Sequence, residues 1–285
     1  MPGVTSERKQ SLQSLERGMA VIQIFSRERP ALTLSEVARL TGITRATARR
    51  ILLTLVELGH VRSDGRLFSL TPRVLSLGWA YLSSLNLSEF AQPLMAALAE
   101  QTGETCAIAT LDPPDIVYVA RVPTRSIITI SLGVGSRLPA HPTALGRVLL
   151  ADLPERELDR YLEETPLERL TENTITDPDE LRAVLARVRS QGWALADQEY
   201  EIGLRSIAAP IRRAPCGTIA AINVSSASPR ASVARFLDEF LPLLLRTAEA
   251  ISASIEASSP GRLARDPKDD PSTRRPPRVP ARVHA

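Results

Sequence analysis

Two cysteines, three histidines and two lysines are all that 285 residues hold of the side chains most used for disulfides, metals and amine chemistry. Cys106 and Cys216 lie far apart, at neither CxxC nor metal-site spacing, so no disulfide framework is expected and a reducing compartment fits. His60, His141 and His284 are too scattered for a histidine metal centre. No G-x-S-x-G elbow is present to seat a nucleophilic serine. The run GVGSRL at 133–138 begins like a dinucleotide loop but lacks the last glycine, and no phosphate-binding lysine follows it. No apolar run approaches the roughly 18 residues that a membrane span needs. The first 14 residues are polar, unlike a signal peptide. A cytoplasmic protein without cofactor, metal or membrane contact is therefore expected. Catalysis keeps one route, a redox thiol at Cys106 or Cys216, and no activating basic or histidine neighbourhood is read for either. An enzyme is not expected.

What is present is enough apolar material for two cores, 44% of the chain, at a length suited to two domains. The net charge of +3 conceals a division. Residues 1–72 carry 11 basic and 6 acidic side chains, residues 73–257 carry 17 and 23, and residues 258–285 carry 7 and 3. A basic module beside an acidic core fits nucleic acid binding at the first, because only the first gains by releasing DNA counterions.

The basic module contains TLSEVARLTGITRATARRILLTLVELGHVRSDGRLFSL at 33–70. Thr33 stands three residues before Glu36, the spacing of a capping box at a helix start. Val37 and Leu40 form an apolar seam, and Gly42 permits a tight turn. Thr44 can cap a second helix, in which Ala48, Ile51, Leu52, Leu55 and Leu58 recur at helical spacing. The opposite face carries Arg45, Thr47, Arg49 and Arg50. Asp64-Gly65, flanked by Val61-Arg62 and Arg66-Leu67-Phe68, predicts a hairpin. Helix, turn, helix and hairpin describe a winged helix-turn-helix, whose second helix enters the major groove of double-stranded DNA. Arg45, Thr47 and Arg49 are expected at base edges and Arg50 on phosphate or against the wing. Thr44, Arg62 and Arg66 complete the candidate DNA contacts.

Ahead of this motif, Leu15, Met19, Ile22 and Phe25 share a helix face and predict a helix ending near Pro30 that covers the winged core. Residues 73–88 carry Val74, Leu77, Tyr81 and Leu85 on one stripe and predict a linker helix. Trp79 and Tyr81 stand out in a chain with 4% aromatics, and with the N-terminal helix they are expected to join two copies. Beyond Phe90, strands are expected at 105–111, 116–122, 126–132, 193–197, 206–212 and 218–225. Helices are expected at 90–101, 143–151, 154–163, 179–191 and 232–257, and a loop at 133–139. The fold class is α+β. The division expected is 1–72 winged domain, 73–88 linker, 89–257 ligand-binding domain and 258–285 a basic tail too poor in apolar side chains to order. Asp197, Glu199 and Glu201 alternate along a segment leaving a strand, as a catalytic cluster, a cation site or a solvated edge. Solvation is the reading for Glu199, and the other two stay open.

The ordered set SLERGMAVIQIF, LSEVARLTGITRATARRILLTL, LTPRVLSLG, LPAHPTALGRVLLA, ADQEYEIGLRSIAAPI and TIAAINVS resembles the family typified by the glyoxylate-bypass repressor, the IclR family, over about residues 12–257. The resemblance implies a winged domain, a linker helix, a GAF/PAS-like C-terminal domain that binds a small carboxylic acid effector, and DNA binding as a homodimer or dimer of dimers. Ser206 where many members have Cys, and Arg147 where many have Lys, look closest to regulators of aromatic-acid catabolism, of protocatechuate, β-ketoadipate or 4-hydroxybenzoate genes. By the same resemblance, the effector pocket involves Ile127, Ile130, Leu138, Ala144, Leu145, Asp197, Leu204, Ser206, Asn223 and Ser225. Chemistry agrees in outline, since a helix start at 143–145 favours an anion and Ser206, Asn223 and Ser225 offer neutral donors. A DNA-binding protein without an effector remains the alternative, disfavoured by the large second domain.

Overall fold

The computed structural model describes residues 12–84, 87–124, 132–228 and 230–258. The chain divides into two compact units, Met1–Leu85 and Asn86–Ala285.

The first unit runs α1 (Gln13–Gln23), β1 (Ala31–Thr33), α2 (Leu34–Thr41), α3 (Arg45–Glu57), β2 (Val61–Ser63), β3 (Leu67–Leu70) and α4 (Leu75–Ser84). Thr33 and Glu36 form the capping box: the Thr33 N–H donates to Glu36 Oε2 at 2.7 Å, and the Glu36 N–H donates to Thr33 Oγ1 at 3.3 Å. Gly42 turns the chain out of α2 at φ 69°, a left-handed conformation that costs glycine little. Thr44 then caps α3 by accepting from the Thr47 N–H. Ala48, Leu52 and Leu55 on α3 join Val21, Leu32, Val37, Ala38 and Val61 in one buried cluster. Burying each large member contributes roughly 1.5–3 kcal/mol.

The wing follows the hairpin signal. Asp64 Oδ1 accepts from the backbone N–H groups of Arg66 and Leu67 at 2.9 and 2.7 Å, and these bonds hold its carboxyl below the usual range. Strand β3 pairs with both β2 and β1, all antiparallel. Strand β1 has no signature in the sequence, because three residues are too few to show alternation.

Two expectations for this unit change. The N-terminal helix stops at Gln23, not near Pro30, and Leu15 and Met19 are 62% and 43% exposed. Its contribution to the core is Val21, with Ile22, Ile24 and Phe25 packed beside it. The 73–88 stripe begins as a 3₁₀ turn at Pro72–Val74, and α4 occupies Leu75–Ser84. Leu85 lies outside the described residues.

The second unit runs α5 (Leu87–Thr102), β4 (Thr105–Asp112), β5 (Asp115–Val122), β6 (Arg137–Pro139), α6 (Ala144–Ala151), α7 (Glu155–Glu164), α8 (Pro178–Gln191), β7 (Ala194–Asp197), β8 (Leu204–Arg213), β9 (Gly217–Ala227), α9 (Val233–Arg235) and α10 (Leu241–Ser258). The sheet order is β6-β5-β4-β9-β8-β7, antiparallel at every pairing. One face packs on α6, α7 and α8: Ala107, Ala109, Ala208 and Ala221 join Leu145, Leu149, Leu158 and Leu185 in a single cluster. Small side chains on the strands let α6 lie close to the sheet, and every residue of α6 is buried. Gly146 admits no Cβ, which would collide with the Ala140 carbonyl. On the other face α10 packs against β8 and α5.

The strand expected at 126–132 falls almost wholly on 125–131, outside the described residues. Among the described residues, β6 pairs with the start of β5, within the segment expected as a loop. The final helix runs without a gap from Val233 to Ser258 and contains a π turn at Phe236–Phe240, with the two buried rings edge to face at 5.1 Å.

Candidate functional sites

The outer face of α3 carries Arg45, Arg49 and Arg50, all exposed, while Ala48, Leu52 and Leu55 point into the core. This is the helical period at work: Arg45 and Arg49, four apart, share one face, as Ala48 and Leu52 share the buried one. Arg45 and Arg49 stand one turn apart. The hydroxyls of Thr44 and Thr47 lie 2.9 Å from each other at the start of the helix. Arg50 lines the groove on the α1 side of α3. On the wing, Arg66 is exposed in the turn, and Arg62 Nε donates to Ser69 Oγ at 3.0 Å across the β2–β3 pair. A guanidinium presents five donors in a rigid fork, suited to a guanine edge or a phosphate. Behind this surface an apolar groove of about 510 Å³ opens between α1, α3 and α4, lined by Leu15, Met19, Ile51, Leu58 and Leu77 among others.

A second cavity lies on the α6 face of the larger sheet and is far smaller, about 50 Å³. Space for roughly four water-sized spheres limits it to a compact ligand. Strands β4, β5, β8 and β9 supply Thr105, Tyr118, Ser206, Asn223 and Ser225, and Leu138, Leu145 and Leu204 supply apolar wall. Six of the ten residues expected here therefore converge: Leu138, Leu145, Leu204, Ser206, Asn223 and Ser225. Ile127 and Ile130 lie outside the described residues. Ala144 is buried at the start of α6, off the cavity wall, where Thr143 caps the helix by accepting from the Gly146 N–H. Asp197 is also off the wall. Ala196 faces the cavity, so its neighbour on the strand faces away. Asp197 meets Arg205, its register partner on β8, through bonds of 2.8 and 2.9 Å. Asn223 Oδ1 accepts from the Ala107 N–H at 3.1 Å, so its amide NH₂ is what it can offer a ligand.

Two charged residues on the wall, Arg121 and Glu199, were not among the residues expected at the pocket. Arg121 donates from Nη1 to the Leu132 carbonyl at 2.8 Å and faces the cavity with Tyr118. Three residues apart on a regular strand, these two would face opposite ways. Between Ile108 and Ala109 the register shifts, so that Ala109 opposes Tyr118 while Ala107 opposes Arg121. The bulge returns both side chains to one face. An arginine inside the apolar run IVYVARV was the only signal.

Glu199, expected to be solvated, is instead buried. It lies in the turn after β7 and takes both terminal nitrogens of Arg147, Nη1 to Oε1 at 2.6 Å and Nη2 to Oε2. Arg147 is 3% exposed on α6 and also donates from Nε to the His141 carbonyl at 2.9 Å. Burial pushes the Glu199 carboxyl up, and the Arg147 guanidinium pulls it back. The Glu199 carbonyl accepts from Thr174 Oγ1 at 2.6 Å, which pins the turn over the cavity. Glu201 is exposed, so the three alternating carboxylates have three different surroundings and no shared site.

Neither cysteine lines the cavity. Cys106 is buried in β4, its thiol pushed up to about 12 by desolvation, the opposite of what a nucleophile needs. Cys216 is exposed in the β8–β9 turn with Arg213 Nη2 3.9 Å from its sulfur, a basic neighbour the sequence reading did not place. Among the described residues no helix is long and apolar enough to cross a membrane.

Both halves of this arrangement have known counterparts. Residues 14–65 match the IclR helix-turn-helix domain, and residues 79–253 match the C-terminal domain of the bacterial transcriptional regulator IclR. The chain belongs to the IclR family. It is 45% identical over 235 residues to the Pca regulon regulatory protein of Pseudomonas putida, covering 82% of this chain and 81% of that one. Among solved IclR-like structures, a Rhodococcus protein described as a transcriptional regulator is 51% identical, with a TM-score of 0.77 over 86% of this chain and 98% of that one. An IclR homologue from Microbacterium hydrocarbonoxydans, complexed with 4-hydroxybenzoate, is 26% identical with a TM-score of 0.77 over 86% of this chain and all of that one. This IclR-family chain is a DNA-binding transcriptional regulator and not an enzyme, with a helix-turn-helix unit and an α+β unit.

Proposed function

We propose that this regulator works in the cytoplasm as a homodimer or dimer of dimers on operator DNA and controls aromatic-acid catabolic genes in response to a small aromatic carboxylic acid. Arg45, Thr47 and Arg49 read base edges, while Arg50, Arg62, Arg66 and the start of α3 at Thr44 hold phosphate. The acid occupies the cavity of the 89–257 domain. Its carboxylate lies on Arg121 with donors from Ser206, Ser225 and the Asn223 amide, and its ring lies against Leu138, Leu145 and Leu204. The observation that carries this reading is a compact, largely apolar cavity with one arginine and several neutral donors on its wall. A carboxylate taken out of water needs both charge compensation and hydrogen bonds, and this wall supplies them. The 4-hydroxybenzoate complex of an IclR homologue supports the ligand class.

Calorimetry of the full chain with 4-hydroxybenzoate is the test. Saturable binding is expected, weakened about tenfold or more in Arg121→Gln. Absence of heat from any small carboxylate would remove the effector.

Two copies are needed because one winged unit offers few phosphate contacts and a short readout. Support comes from Leu75, Leu77 and Trp79 of α4, all half exposed or more, beside the apolar groove between α1, α3 and α4. Sedimentation is expected to give a dimer or larger at micromolar concentration, and a monomer with and without DNA rules the assembly out.

A further inference from the structure

The end of α10 comes near the start of α7 by way of the β8–β9 turn. Glu256 Oε1, in the last turn of α10, accepts from the Ala214 N–H at 3.2 Å. Four residues further along that turn, the Thr218 N–H donates to Asp152 Oδ2 at 2.8 Å, and the next residue, Leu153, lines a groove beside α7. Four residues of chain span at most about 14 Å, so the end of α10 stands within roughly 20 Å of that groove.

The groove holds about 200 Å³ between the β4–β5 turn and α7, apart from the small cavity on the α6 face. Pro113, Pro114 and Pro166 are exposed on its wall, and Leu153 and the largely buried Tyr161 add apolar surface. Glu157 and Glu164 share the wall with one cation, Arg160. Helix α7 as a whole is acidic, since Glu155, Glu157, Asp159, Glu163 and Glu164 outweigh Arg156 and Arg160. Arg182 of α8 meets Glu155 and Asp159 at 2.7 and 2.5 Å. Glu157, Glu163 and Glu164 are exposed and form no ion pair among the described residues.

The described chain stops at Ser258, and the sequence beyond it has the complementary chemistry. From Pro271 it reads PSTRRPPRVPARVHA, with Arg274, Arg275, Arg278 and Arg282 and no acidic residue. Proline presets φ, so a segment this rich in it loses little entropy on docking, and extended Pro-rich segments suit grooves with aromatic and apolar walls. Residues 259–273 can span about 45 Å in that form, more than the path from α10 requires. The match to the IclR C-terminal domain ends at residue 253, short of this segment.

We propose that the groove beside α7 is the docking site for residues 274–282 of the same chain. Their arginines meet Glu157, Glu163 and Glu164, and Pro276, Pro277 and Pro280 lie on the apolar wall. Docking withholds these arginines from DNA phosphate, the other polyanion that their charge suits.

The experiment is fluorescence anisotropy with a labelled peptide of residues 271–285, offered to the full chain and to a chain ending at Ser258. That shorter chain keeps both stretches matched by the family, 14–65 and 79–253. It is expected to bind the peptide about tenfold tighter or more than the full chain, whose tethered segment competes at an effective concentration in the millimolar range. Glu157→Gln with Glu164→Gln in the shorter chain should weaken the peptide about fivefold, the worth of two exposed ion pairs. Equal binding to both chains overturns occupancy by the chain's own segment. Unchanged binding in the double variant overturns the site. A peptide that binds operator DNA but neither chain overturns the proposal and assigns the segment to DNA.

A second measurement keeps the whole chain. Ala281→Lys places an amine in the docked segment, and a carbodiimide joins an amine only to a carboxylate beside it. Mass mapping is expected to find the new lysine joined to Glu157, Glu163 or Glu164. Joining to carboxylates elsewhere, or to none, overturns the docking.

Discussion

The two units of this regulator present their functional residues in opposite ways. In the winged unit every candidate DNA contact lies within 23 residues of chain, Thr44 to Arg66, and most of them are exposed. In the sensing unit the cavity wall runs from Thr105 to Ser225 and draws on strands from both edges of the sheet. One site is a property of a helix. The other exists only when six strands are in register. Local periodicity can describe the first, because a buried seam on one side of α3 dictates what the other side exposes. The second depends on strand order, on a bulge and on an ion pair spanning 52 residues.

The contrast is testable by asking which unit responds to which change. The largest effect is expected from Arg147→Ala. Leaving Glu199 buried without its partner should cost about 3–5 kcal/mol of stability in the sensing unit. Denaturant unfolding followed separately in the two units should show the loss there alone, with the winged unit unaltered. Equal destabilisation of both would erase the distinction drawn here. Ser206→Ala comes next. Losing a hydrogen bond to a buried carboxylate should weaken effector binding by roughly 1.5–3 kcal/mol, a tenfold to hundredfold change in Kd by calorimetry. Operator affinity without effector should stay the same.

The mirror-image change is in α3. Arg45→Ala or Arg49→Ala should reduce operator affinity by about 1–3 kcal/mol in gel shift, with effector binding and unfolding unchanged. If both variants hold the operator as well as the parent chain does, α3 is not the reading helix. The smallest effect is expected at Thr33. Thr33→Ala removes half of a capping box on α2 and should cost about 1 kcal/mol in the winged unit alone. A sensing-unit transition that moved with it would show the units to be energetically joined.

Thr33, Gly42, Thr44 and Asp64-Gly65 each mark a boundary by a short-range rule, and the structure places a cap, a turn, a cap and a hairpin there. The same rules failed over α1, where Leu15 and Met19 satisfy helical spacing yet remain exposed. Spacing says which residues share a face, not what that face meets. Strands β4, β5, β7, β8 and β9 were legible as apolar runs. Their order was not, since antiparallel strands with similar composition can neighbour one another in many ways.

What the sequence determined by itself was the pair of domain types, the second helix of the winged unit with its outward arginines, and the positions of the serines and asparagine on the strands. Only the tertiary structure decided that Asp197 turns away to Arg205 while Glu199 turns inward to Arg147, although both are carboxylates two residues apart. Only it brought Arg121 to the face of Tyr118, through the register shift between Ile108 and Ala109. The physical reason is that a strand residue's side is set by its pairing partner. A buried charge is tolerated where a counter-charge from elsewhere in the chain arrives to meet it.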